Sequence, residues 1–110
     1  MKATATTGSR ADLSEEQAER LAEVMQALAS PVRLRILSVL SEGPITVTEL
    51  SERLSVAQTS VSNHLRLLRH LSLVSGTRDG RNIFYNLFDD HVGDLLHEAV
   101  GHVAHLPRTG

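Results

Sequence analysis

Cysteine is absent from all 110 residues. That removes disulfides, thiolate metal sites and a cysteine nucleophile together. It is compatible with a reducing cytoplasm, the expected location. Aromatic residues are scarce, with two Phe, one Tyr and no Trp, so the core must be built from Leu, Val, Ile and Ala. No apolar run approaches the roughly 18 residues of a membrane span. The opening MKATATTGSR has no hydrophobic centre of a secretory signal, so no membrane partner is expected. No Gly-rich phosphate loop is present, and no acid is evidently placed as a general base. An enzyme is therefore not expected. The length suits one domain with a modest core. Residues 1–12 read as a flexible arm, 13–106 as the folded unit and 107–110 as a tail.

Net charge is −2, which by itself speaks mildly against a nucleic-acid partner. Its distribution points the other way. Between Arg53 and Arg81 there are five arginines and one acid, a local charge of +4, while the rest of the chain holds six bases and twelve acids. A basic middle on an acidic scaffold suits a local phosphate-binding face.

The chain then reads as successive helices. Ser14, followed by two glutamates and Gln17, opens the first with a capping-box pattern. Leu21, Val24, Met25 and Leu28 give it an apolar stripe to about Ala29. Ser30-Pro31 starts a second helix, with Ser as cap and Pro at the first helical position. Ile36, Leu37 and Leu40 carry it inward, and Glu42-Gly43-Pro44 breaks it. Thr46 caps a short third helix through Leu54. After the tight connection Ser55-Val56-Ala57, a fourth runs from near Gln58 to about Leu71. Two short helices joined so closely are a helix-turn-helix signal.

On the fourth helix Val61, Leu65 and Leu68 share the inward face, since each residue turns about 100°. Thr59, Ser62, Asn63, Arg66 and His70 lie opposite. Hydroxyl, amide, guanidinium and imidazole groups are the types that read base edges and hold phosphates. Gln58, Thr59, Ser62 and Asn63 are assigned to base edges, because the N-terminal part of such a helix enters the major groove. Arg66, Arg69 and His70 complete the face, the arginines towards phosphates. An ordinary solvated face would carry acids too, yet none occurs between Gln58 and Arg78. A hairpin follows: a short strand at 73–77, a turn at Arg78-Asp79-Gly80-Arg81, and a return strand to Phe88. Behind a helix-turn-helix this is a wing, and Arg78 and Arg81 at its tip can reach the minor groove or its phosphates. The fold class is therefore mainly α with a β-hairpin wing.

The last helix, Asp89 to His105, carries four good metal ligands: Asp89, His91, His102 and His105. His91 and His102 fall within about 20° of each other, and His105 lies about 40° to the other side. One helix cannot close a site with them, because His91 and His102 stand roughly 16 Å apart along the axis and metal–ligand bonds are about 2 Å. His102 and His105, an i,i+3 pair, can hold one metal together. Asp89 and His91 could supply the other ligands from a second, antiparallel copy. Two-fold symmetry then makes two equal sites in a homodimer. Asp89 also suits a plain helix cap, and His97, about 120° away, reads as a solvated residue. Three imidazoles and a carboxylate suit Zn(II) or Co(II).

From Ala29 to Leu106, about 78 of the 110 residues, the chain resembles the ArsR/SmtB family of winged-helix metal sensors. The matching stretches are ALASPVRLRIL, SVSNHLRLLRHLSLV and GRNIFYNL, with Asp89-x-His91 and His102-x-x-His105 similar to the family's interfacial site on the last helix. Thr46 and Thr48 stand where the family's thiolate site would be, so that arsenic- and cadmium-type site is absent. The resemblance implies a homodimer with the first and last helices at its seam, a double-stranded DNA operator, and metal binding that lowers DNA affinity and relieves repression. It extends the metals to nickel, although residues 1–12 and 106–110 hold no His to complete a larger shell. Liganded histidines usually hold a second partner. A tie from His102 or His105 to a main-chain carbonyl near Ser72 is therefore expected. The alternative is a winged-helix regulator, an activator among the options, whose DNA binding ignores metal and depends on a protein co-regulator.

Overall fold

Five helices and one hairpin follow each other in the computed structural model, which describes residues 12–107. Most of the proposed arm and tail thus lies outside the described residues. Helix α1 (Glu15–Leu28) starts on a capping box. The Ser14 hydroxyl accepts from the Gln17 amide, and the Gln17 side chain accepts from the Ser14 amide, both at 3.0 Å. Helix α2 (Pro31–Leu40) has Pro in its first turn, with the Ser30 hydroxyl accepting from Arg33 N–H at 3.2 Å. Helix α3 (Val47–Leu54) repeats the capping box with Thr46 and Glu49. Each cap satisfies amides that a helix start leaves without partners, so the chain marks these boundaries locally.

Helix α4 (Gln58–His70) starts differently. Ala57 stands at its cap and no side chain bonds its first amides. The turn before it is fixed instead. Ser55 ends α3 in the left-handed conformation at φ 57°. The Ser51 hydroxyl donates to the Val56 carbonyl, and Val56 N–H donates to the Ser51 carbonyl at 3.1 Å. Arg35 of α2 donates to the Leu54 carbonyl at 3.3 Å. The turn between the two helices is thereby held from both sides.

The hairpin pairs β1 (Val74–Asp79) with β2 (Asn82–Leu87) in antiparallel register, from Val74 opposite Leu87 to Asp79 opposite Asn82. The loop is therefore Gly80-Arg81, one residue later than the four-residue turn read from the sequence. Gly80 sits at φ 66°. Positive φ at the first central position is what a type II′ hairpin turn asks of Gly. Arg78 consequently lies in the strand, opposite Ile83, rather than in the turn. At the wing's base Ile45 and Tyr85 exchange both backbone hydrogen bonds, at 2.9 and 3.2 Å. This anchors the wing to the segment before α3.

The core is aliphatic, with Ile36, Leu37, Leu50, Val61, Leu65 and Leu68 as its largest fully buried side chains. It lies where α2, α3, α4 and the wing base meet. Helix α5 (Asp90–Ala104) joins it through Val92 and Leu96 only. The stripe read on α1 is half covered, with Val24 and Leu28 partly buried against the core. Ala27 is its buried residue, while Leu21 and Met25 are 43% and 46% exposed. Val100 and Val103 on α5 are 64% and 66% exposed. These helices have apolar faces wider than one chain can cover.

Candidate DNA-reading face and metal ligands

Three inward residues orient α4. Val61, Leu65 and Leu68 are buried in the core, where α4 meets α3 and β1, which turns the opposite side outward. Gln58, Thr59, Asn63, Arg66, Arg69 and His70 are all exposed, and Ser62 is half-buried. Arg66 donates to the Asn63 side-chain oxygen at 3.0 Å, so two residues given separate tasks are partners in the free protein. Arg78 and Arg81 are exposed at the far end of the wing. Among the described residues the acids nearest these groups in sequence are Glu52, before the turn, and Asp79 in the wing. The surface offers donors and positive charge with little competing negative charge, as a phosphate-lined groove requires.

Sequence reading missed the residues behind this face. Arg33 and Arg35 lie within the apolar run of α2, beside the buried Ile36 and Leu37. Arg35 holds the end of α3 as described. Arg33 donates its Nε–H to the Ala27 carbonyl at 2.6 Å, and its terminal amino group lies 3.3 Å from His64 Nδ1. His64 is half-buried on α4. Its pKa is lowered from the ordinary 6.5, first by desolvation and then by the Arg33 charge. The available signal was position. His64 lies about 60° from Val61 around the helix, at the rim of the buried stripe, where a polar group must find a partner.

On α5 the four candidate ligands separate into two pairs. Asp89 is the N-cap, accepting from Val92 N–H at 3.2 Å through Oδ1, and its Oδ2 lies 3.4 Å from His91 Nδ1. The cap role considered for Asp89 is thus real, and it leaves the second oxygen beside His91. His102 is in the last turn and His105 is the C-cap, both exposed. Among the described residues, no three His, Asp or Glu side chains gather as one metal-binding group. The structure therefore brings Asp89 to His91, and leaves His102 and His105 at the other end of the helix. Neither His102 nor His105 makes a ring hydrogen bond among the described residues, so the expected tie to a carbonyl near Ser72 is not made within one chain. His97 is exposed, as read.

The chemistry of the set fits a borderline transition metal. Three neutral imidazoles and one carboxylate are suitable ligands, and all four side chains reach solvent. Among the described residues no helix is long and apolar enough to cross a membrane.

Comparison with known proteins agrees with this architecture. Residues 28–77 match a family model described as a helix-turn-helix domain. The chain is 49% identical over 96 residues to the HTH-type transcriptional regulator NmtR of Mycobacterium tuberculosis, covering 87% of this chain and 80% of that protein. A solution structure of apo-NmtR superposes with a TM-score of 0.75 at 43% identity, over 99% of this chain and 92% of that one. The transcriptional repressor SmtB homolog of Synechocystis is 41% identical over 91 residues, covering 83% of this chain and 69% of that protein. The homodimeric winged helix-turn-helix DNA-binding domain of a possible ArsR-family regulator from Mycobacterium bovis superposes with a TM-score of 0.77 at 28% identity, over 92% and 97% of the two chains. The HTH core, the hairpin behind it and these relatives agree, and the chain belongs to the ArsR/SmtB family of winged-helix, DNA-binding transcriptional regulators, which are not enzymes.

Proposed function

We propose that this chain acts in the cytoplasm as a homodimeric repressor that a transition metal releases from its operator. One observation carries the reading. Asp89 and His91 stand at one end of α5, and His102 and His105 at the other, on a helix whose apolar residues Val100 and Val103 are uncovered. An antiparallel second copy of α5 covers that stripe. It also brings each N-terminal pair to a C-terminal pair. The metal is then held by Asp89 and His91 of one chain with His102 and His105 of the other. When bound, it supplies a cross-link between the two copies.

The chain's own groups do the rest. Gln58, Thr59, Ser62 and Asn63 offer donors and acceptors to base edges in the major groove. Arg66, Arg69 and His70 hold phosphates, and Arg78 and Arg81 extend that grip along the wing. The uncapped amides at the start of α4 suit a phosphate oxygen as well. A dimer must present its two α4 helices about 34–36 Å apart to read successive grooves. The angle between the two α5 copies sets that distance, so changing it costs contacts at both half-sites. Linkage makes the effect reciprocal, with DNA weakening metal affinity by the same factor. Zn(II), Co(II) and Ni(II) all suit the donor set.

The test uses metal-free protein bound to a labelled duplex from its own promoter, titrated with Zn(II), Co(II) and Ni(II) in turn. One metal is expected to weaken binding by about 5- to 150-fold, corresponding to a coupling of about 1–3 kcal/mol. His102→Ala should abolish the effect while leaving metal-free DNA binding intact. Binding that ignores all three metals would overturn the metal reading and leave a regulator switched by a protein partner, for which no observation here speaks.

A further inference from the structure

We propose that Arg33 and His64 form a positioning tether that sets the aim of α4 from the end of α1. The inference rests on the reading of α4 as the helix that enters DNA. It assigns a role to two residues outside both the DNA-reading face and the metal ligands.

The geometry spans three helices. Arg33 lies in the first turn of α2 and reaches in two directions. Its Nε–H donates to the carbonyl of Ala27, in the last turn of α1, at 2.6 Å. Its terminal amino group meets His64 Nδ1, in the middle of α4, at 3.3 Å. A guanidinium only donates and stays charged at any relevant pH. His64 Nδ1 is therefore the acceptor, and the ring carries its proton on Nε2. The contact is charge-assisted and half-buried, which strengthens it relative to an exposed one.

What the tether joins gives it consequence. Helix α1 meets the body of the chain along a narrow face, where Val24 and Leu28 are partly buried against the core. Ala27 is its buried residue, and Leu21 and Met25 face outward. Helix α4 is gripped along its apolar side, at Val61, Leu65 and Leu68. Three aliphatic side chains seat the helix on the core but supply no directional contact. His64, at the rim of that stripe, supplies the directional contact. Rotation of α4 moves Thr59, Ser62 and Asn63 together, because they share the opposite side of the same cylinder.

The tether is also conditional on His64 staying neutral. A protonated ring would set N–H against N–H and one positive charge against another. Among the described residues Arg33 has no salt-bridge partner. The closing residues of α1, from Gln26 to Ala29, carry no charge. On α3, Glu49 and Arg53 are engaged with Thr46 and Glu42, and Glu52 is exposed. On α4 itself, Arg66 and Arg69 lie about 140–160° around the helix from His64. On β1, Arg78 and Asp79 are at the wing tip.

The test compares three variants of the full chain, metal-free, by fluorescence anisotropy on two labelled duplexes, its own promoter and a random sequence. His64→Leu keeps the fold's apolar contacts but removes the acceptor. It is expected to lower the promoter-over-random preference by about tenfold, the scale of one charge-assisted hydrogen bond, while random-sequence binding stays within about twofold. Arg33→Met should do the same. His64→Asn places an amide oxygen where Nδ1 stood, and should keep the preference at pH 7.5 and hold it unchanged down to pH 5.5. The wild-type preference should fall over that range. Unchanged preference in His64→Leu, or equal losses in His64→Leu and His64→Asn, would overturn the tether alone. A wild-type chain with no preference for its promoter would overturn it together with the DNA reading.

Discussion

The inner helices α2, α3 and α4 and the outer pair α1 and α5 are written in the same local code but end in different surroundings. Except for α4, both sets begin on recognisable caps, at Ser30 and Thr46 inside and at Ser14 and Asp89 outside. Both carry apolar stripes. Inside, the stripes meet each other, and Ile36, Leu37, Leu50, Val61, Leu65 and Leu68 are almost wholly buried. Outside, Leu21, Met25, Val100 and Val103 remain largely in water. An open groove between α2 and α5 is lined by Leu34, Phe88, Val100 and Val103 on its apolar side, with Asp94 and His97 beside them. A stripe at helical spacing thus states that a face will be covered. It does not state by what. The inner set finds its cover in the same chain, and the outer set finds it in the proposed second copy.

Three changes break or sharpen that contrast. The largest effect belongs to the inner set. Leu65→Ala removes a fully buried side chain and should cost about 2–5 kcal/mol in urea unfolding. That is a large part of the stability of a domain this size. A loss under 1 kcal/mol would mean that α4 is not seated as described. Next is the outer stripe. Val100→Asp should leave helical content intact but convert the dimer to a monomer in sedimentation velocity at micromolar concentration, since a charge at a buried interface is costly. A dimer that survives this change would move the seam off α5. The smallest effect is the pH response of His64. Its folded pKa lies below the ordinary 6.5, so below about pH 6.5 the unfolded chain binds more protons than the folded one. Stability therefore rises with pH through that window and is lost as the solution is acidified through it. His64→Asn should flatten this part of the curve in equilibrium unfolding. An identical slope in the variant would remove His64 from the account.

Much of the fold was legible because local rules and packing agree. The Ser14 capping box, the Thr46 cap, Ser30-Pro31 and the inward triad on α4 each announce an element by short-range chemistry. The wing was legible too, but its turn was read one residue early. Asp-Gly is a strong turn signal, whereas the pairing of Asp79 with Asn82 is fixed by the register of the whole hairpin and its anchor at Ile45. The candidate site was legible as residue types at helical spacing. Asp89, His91, His102 and His105 can be placed around α5 by counting. Counting does not find the partners of Arg33, Arg35 and His64, because those partners, Ala27, Leu54 and one another, lie on different helices.

The division has a physical reason. Caps, turns and helical faces depend on residues within about four positions of each other, so the sequence by itself determined five helices, a wing, one polar face on α4 and a ligand pattern on α5. The tether from Ala27 through Arg33 to His64 depends on groups up to 37 residues apart, the Ala27 carbonyl and the His64 ring. So do the hold of Arg35 on the end of α3 and the partial exposure of α1 and α5. Only the packing of the helices against one another decides which of these distant groups come within hydrogen-bond reach.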